Sequence, residues 1–227
     1  MKFETPLKKL FRLPDFVPEP EKTALLIIDM QYLDAHPDYG LCKVAKEKGL
    51  EEEFKYYIDR LGIIVPNIQK LLNFFRANNL EVIHTRIASL HKDGRDRSLL
   101  HKMANINAPL GSKDAEILEE LKPLPDEIVI NKTCSGVFNG TNIERILRNM
   151  GIEYLIITGV VTDQCVETAV RDAADRGFKV ILVEDCCATV TPELHEASLR
   201  ALEGIYCNVK SSDDVIEILT QELEKSK

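Results

Sequence analysis

Short runs of consecutive apolar residues recur along the chain, separated by segments with helical spacing. The first run is Ala24-Leu25-Leu26-Ile27-Ile28, with Asp29 directly after it. Five more follow at residues 80–85, 127–130, 154–157, 179–183 and 205–209. Between them, residues 64–77, 142–150, 165–176 and 192–202 repeat apolar positions at helical intervals. Asn78-Asn79, Gly151, Gly177 and Gly204 stand where these segments should stop. Asp213-Asp214 open a last helical segment. The runs are mostly apolar throughout rather than alternating, which is the pattern of strands covered on both faces. Six such strands with intervening helices predict an α/β fold. The expected architecture is a doubly wound parallel six-stranded sheet, helices on both faces, with right-handed crossovers.

Two segments do not fit this alternation. The charged stretch 33–60 is too long for an ordinary connection and is expected to be an insertion near the functional edge. Residues 105–112 form a second candidate loop there. Residues 1–21 mix Lys, Pro, Phe and Glu, and are expected to form an arm crossing the surface before the first strand. No Pro/Gly/Ser-rich linker and no internal repeat divides residues 1–227, so a single domain is expected.

Composition narrows the function classes. Hydrophobic residues make up 44% of the chain and charged residues 29%, as in ordinary soluble proteins. The net charge is −8, and no basic stripe interleaves with aromatics, so no nucleic-acid partner is expected. No apolar run approaches the roughly 20 residues of a membrane span. The first residues lack the apolar core of a secretory signal, and the expected location is the cytoplasm. None of the 6 cysteines forms a C-x-x-C pair, which argues against a zinc ribbon or a thioredoxin site. Free thiols are expected, with adjacent Cys186 and Cys187 as small buried residues.

The chemistry concentrates at Ile156-Ile157-Thr158-Gly159-Val160-Val161-Thr162-Asp163-Gln164-Cys165-Val166. A strand ends, the chain turns, and a helix begins with a thiol near its start. Open α/β sheets bind ligands at the carboxyl ends of their strands. A helix N-terminus there favours thiolate over thiol. Asp29 closes the first strand and Lys132 follows the third, so three reactive groups share one edge. Each alone has an ordinary alternative: an N-cap, an exposed lysine, a buried cysteine. Together they are a nucleophile, a base for its proton and a cation for developing charge. His84 is expected to be buried in its strand, and His195 to lie on a helix surface. Asp34-Ala35-His36 has metal-ligand spacing but reads as a polar loop. A nucleotide-binding α/β module stays open as an alternative, because fold does not fix function. Against it, no G-x-G-x-x-G follows the first strand and no phosphate-loop motif occurs.

Three blocks of the chain resemble the isochorismatase-like cysteine hydrolases. They are Leu26-Ile27-Ile28-Asp29-Met30-Gln31, Lys132-Thr133-Cys134-Ser135-Gly136 with Thr141-Asn142, and the block ending in Cys165-Val166. The resemblance runs over about residues 22–219. It implies that Cys165 is the nucleophile, Asp29 the general base and Lys132 the cation that tunes them. Val160–Val161 matches the position of a non-proline cis peptide, which turns the Val161 N–H beside that of Cys165 as an oxyanion hole. The implied activity is hydrolysis of a C–N bond in a small amide or ureide of the biuret, ureidoacrylate or N-carbamoyl type, through a thioester. Nicotinamidase, maleamate-type amidase and isochorismatase activities are the alternatives within the family. The nicotinamidase metal-ligand pattern is missing after the second strand, so neither a metal nor a cofactor is expected. Tyr32, Arg86, Phe138, Asn139 and Thr162 are candidate substrate contacts. The family also implies a homodimer or homotetramer.

Overall fold

The computed structural model describes residues 5–225; residues 1–4 of the expected arm lie outside that range. Six parallel strands form one sheet: β1 (Thr23–Ile28), β2 (Glu81–Ile87), β3 (Ile128–Lys132), β4 (Tyr154–Val160), β5 (Lys179–Ala188) and β6 (Asn208–Lys210). Their order is β3-β2-β1-β4-β5-β6, all paired in parallel. The direction of winding therefore reverses between β1 and β4, where ligands bind in open α/β sheets.

The helices that cover the sheet faces are α1 (Glu51–Ala77), α2 (Ile143–Asn149), α3 (Glu167–Asp175), α4 (Pro192–Leu202) and α5 (Ser212–Lys225). Alternate residues of β1 feed two separate cores. Leu26 and Ile28 pack with residues of α2, α3 and α4. Leu25 and Ile27 pack with residues of α1 and α5. Every residue of β1 and β4 is buried, as unbroken apolar runs require. Cys186 and Cys187 are neighbours on β5 that enter opposite cores, and both are free thiols.

The structure corrects two expectations. Residues 33–60 are not a single insertion, because the helix predicted from Ile64 begins at Glu51 and runs 27 residues. Its buried stripe of Tyr57, Leu61, Ile64, Ile68, Leu71, Leu72 and Phe75 holds it together. Pro66 lies in its interior on the exposed side, where burial of that stripe outweighs a cost of about 3 kcal/mol. Glu51, Glu52 and Glu53 in its first turn suit the positive end of the helix dipole. What remains between β1 and α1 is two short helices, Tyr32–Ala35 and Gly40–Glu47. The sixth strand is shorter and later than predicted, since the N–H groups of Ile205, Tyr206 and Cys207 all donate to the carbonyl of Leu202 and wrap the chain into a turn. The last helix begins at Ser212, whose N–H and hydroxyl both donate to Asp185.

The described part of the arm does cross the surface. Lys8 Nζ donates to the Arg200 carbonyl at 3.0 Å, and the Phe16 N–H donates to Asn208 Oδ1 at 2.6 Å.

Gly159 sits where β4 closely approaches β1. It pairs with Ile28 and has φ +117°, and a Cβ there would fall 2.0 Å from the Ile28 carbonyl oxygen. Gly159→Ala is therefore expected to cost about 3 kcal/mol or more, read as a lowered urea midpoint. A variant as stable as the parent would show that β1 and β4 can separate without penalty.

Candidate active site

Three strand ends bring the predicted groups together. Asp29 follows β1 with φ 52°, a left-handed conformation that Asp tolerates better than most residues. Its N–H donates to the Thr85 carbonyl at 3.1 Å, and Thr85 Oγ1 donates back to Asp29 Oδ1 at 3.0 Å. The loop after β1 is further fixed by Gln31, which is fully buried. Its amide accepts from the Ile87 N–H and donates to the carbonyls of Ile87 and Asp114.

Lys132 is the last residue of β3 rather than the residue after it. β3 is an edge strand two places from β1, and the long side chain spans that gap. Its Nζ lies 2.7 Å from Asp29 Oδ2, 3.1 Å from the Cys134 carbonyl oxygen and 3.4 Å from Cys165 Sγ. Cys165 sits in a turn of π-helix, Thr162–Val166, before α3 begins. Such turns are rare and often mark functional sites. The Val160–Val161 peptide ahead of it is cis, as the resemblance implied.

The three groups are almost out of water, with exposures of 0% for Asp29, 1% for Lys132 and 7% for Cys165. Burial penalises the Lys132 ammonium, but Asp29 and Cys165 more than offset this and hold its pKa above the ordinary lysine value. The Cys165 thiol goes the other way from the expectation of a helix-stabilised thiolate. Burial pushes its pKa up; Lys132 opposes the shift, while Asp29 and Asp34 add to it. The resting sulfur is a thiol.

The other candidates fall in different places. Tyr32 opens the short helix Tyr32–Ala35 after Asp29, stacked on His36 at 4.9 Å, with the Lys113 ammonium 3.7 Å from its ring centre. Thr162 is buried, with Oγ1 2.9 Å from His195 Nδ1. His195 is thus not a surface residue: it shares the buried stripe of α4 with Leu199 and Leu202, a spacing visible in the sequence. Arg86 is not brought to the triad. Its Nε donates to Asn131 Oδ1 at 2.7 Å and its Nη1 to the Ala115 carbonyl at 3.0 Å. Phe138 packs on Phe178 at 5.9 Å, and Asn139 donates to Asp172 at 2.6 Å. His84 is buried, as expected, with Nε2 3.2 Å from Glu127.

The sequence carries no local sign of a role for Thr85 or Tyr57, and Asp34 reads there only as part of a polar loop. Tyr57 is fully buried in α1, with its hydroxyl donating to the Asp34 carbonyl at 2.8 Å. His36, the partner of Asp34 in the metal-like spacing, accepts the Asp38 N–H on its Nδ1, stacks on Tyr32 and meets Tyr39 edge-on. Among the described residues, no three His, Cys, Asp or Glu side chains gather as a metal-binding group.

A buried thiol, carboxylate and ammonium meet at the switch point of a doubly wound sheet, the set of groups expected of a cysteine hydrolase. Comparison with known proteins agrees: the isochorismatase domain matches residues 23–214, and the chain belongs to the isochorismatase family of hydrolases. Nicotinamidase 3 of Arabidopsis thaliana is 35% identical over 143 residues, covering 61% of this chain and 71% of its own length. A ureidoacrylate amidohydrolase of Acinetobacter baylyi is 27% identical over 228 aligned positions, covering 91% of this chain and 88% of its own. A solved cysteine hydrolase from Pseudomonas syringae has a TM-score of 0.77 at 25% identity, covering 92% of this chain and 97% of that one.

The ion pair makes a stability prediction. Lys132→Met would leave the Asp29 carboxylate buried without its cation, a loss of about 3–5 kcal/mol near neutral pH. Adding Asp29→Asn removes the stranded charge and should recover a large part of the loss in denaturant unfolding. A double variant no more stable than Lys132→Met would refute this account of the pair.

Proposed function

We propose that the chain is a cysteine amidohydrolase that cleaves a C–N bond in a small linear amide or ureide, without a catalytic metal. The observation that carries this reading is the single ammonium of Lys132, 2.7 Å from Asp29 and 3.4 Å from the Cys165 sulfur. In the first stage Asp29 takes the thiol proton as sulfur bonds to the carbonyl carbon, whose π electrons move to oxygen. The N–H groups of Val161 and Cys165 receive that oxyanion; one such donor is worth roughly 3 kcal/mol of barrier. The adduct then collapses, the C–N bond breaks, and Asp29 returns the proton to the departing nitrogen. In the second stage Asp29 takes a proton from water, which attacks the thioester (a thiocarbamate if the carbonyl came from a ureide). The C–S bond breaks and the sulfur recovers its proton. Splitting the reaction this way replaces one hard step by two easier ones.

The similarity to a ureidoacrylate amidohydrolase over most of both chains supports the ureide class. A second reading, a primary amide carried on an aromatic ring, is favoured by the 35% identity with a nicotinamidase. Both are settled by ammonia release from a panel of biuret, ureidoacrylate-type ureides, N-carbamoyl amino acids, maleamate and nicotinamide. Turnover is expected on one linear class, and Cys165→Ser should lower it by about a thousandfold or more while circular dichroism stays unchanged. Near-parental turnover by Cys165→Ser would refute the covalent route. Dialysis against a chelator should leave the rate unchanged; a loss restored by added zinc would mean that a metal takes part.

A further inference from the structure

Asp34 is a second acid whose charge Lys132 and Cys165 feel and which feels that of Asp29, and the two-stage reaction does not use it. It lies on the short helix Tyr32–Ala35 that follows Asp29. Its Oδ2 is buried and has no hydrogen-bond partner in the protein. Buried polar atoms are nearly always paired, so an unpaired one asks for a ligand or a functional reason. The groups whose charge it feels come from every side: Asp29 after β1, Lys132 on β3 and Asp114 in the 113–115 turn. Cys165, Tyr57 on α1 and Cys42 in the helix Gly40–Glu47 feel it in turn. Tyr57 also anchors its backbone, donating to the Asp34 carbonyl.

The carboxyl cannot share the site's cation on equal terms. Lys132 is engaged by Asp29 at 2.7 Å, by the Cys134 carbonyl and by the sulfur. Burial first, then the negative charges of Asp29 and Asp114, push Asp34 up to about 8 against the pull of Lys132. At neutral pH it is therefore a carboxylic acid, which offers one donor and an acceptor side by side. An amide or ureide presents the matching pair, a C=O and an N–H.

We propose that Asp34 is the substrate-pairing acid of this site, its O–H donating to, and its carbonyl oxygen accepting from, the amide or ureide group held against Cys165. Asp34 takes this role only if the reaction is the amide hydrolysis proposed above. Above its titration the carboxyl loses the donor and adds a second anion beside Asp29, so both binding and the Lys132 pairing suffer.

The test is a pH profile of kcat/KM for the best substrate of the panel, with the wild type, Asp34→Leu and Asp34→Asn. The wild type should lose activity above about pH 8, roughly tenfold per pH unit beyond that point. Asp34→Leu should raise KM at neutral pH by about tenfold or more, with a much smaller change in kcat. Asp34→Asn restores a donor and an acceptor in the same shape. It should recover most of the Leu loss and abolish the alkaline limb. An unmoved alkaline limb in Asp34→Asn, or an unchanged KM in Asp34→Leu, overturns the assignment while leaving the amidohydrolase reading intact. No ammonia from any panel member in the wild type overturns both.

Discussion

The Lys132–Asp29 ion pair is the constraint around which the site is built. An ammonium with almost no exposure is tolerable only if its partners are placed before it arrives, because its desolvation costs several kcal/mol. The fold places them. Asp29 is held in a left-handed conformation by backbone and side-chain bonds to Thr85. The Cys134 carbonyl supplies a further acceptor, just past the end of the strand that carries the lysine. Since β3 and β1 are separated by β2, the pair also ties the edge strand to the centre of the sheet.

The switch point between β1 and β4 explains why the thiol meets this pair. Gly159 lets the two strands approach closely at Ile28, and the π-turn after β4 lowers Cys165 onto the lysine. A regular α-helix starting at Thr162 would rotate the sulfur by a different amount, because a π-turn inserts one extra residue. The Thr162–His195 contact braces that turn from α4, and the Thr189–Asp163 bond at 2.5 Å braces it from the end of β5.

Much of this was legible in the sequence, for identifiable reasons. Buried parallel strands write themselves as unbroken apolar runs, so β1, β4 and β5 stand out. Asp29 directly follows such a run, and Cys165 lies five residues past the end of β4. Lys132 was readable from its place at the end of the third apolar run and from its motif, although a lysine ending a strand gives no sign of burial. The start of α1 was obscured by Gly62, Pro66 and a charged first turn, although Tyr57 and Leu61 already continue its stripe. Thr85, Tyr57 and Asp34 depend on which strands and helices become neighbours, and local pattern does not carry that. His195 was misjudged where the spacing to Leu199 and Leu202 held the answer.

The resting state of the thiol follows from charge conservation inside the pocket. Burial favours the protonated sulfur, and a free thiolate beside Asp29 would place two anions on one ammonium. In the proposed reaction the proton moves from sulfur to Asp29, and the anion that Lys132 balances shifts from carboxylate to thiolate. The cation already lies 2.7 Å from one and 3.4 Å from the other. The number of buried charges is the same before and after, so the transfer avoids most of the desolvation cost that separate ionisation would carry. That balance holds for one carboxylate only. A second anion at Asp34 would compete for the same ammonium, which is the physical reason for the neighbouring acid to remain neutral while the site works.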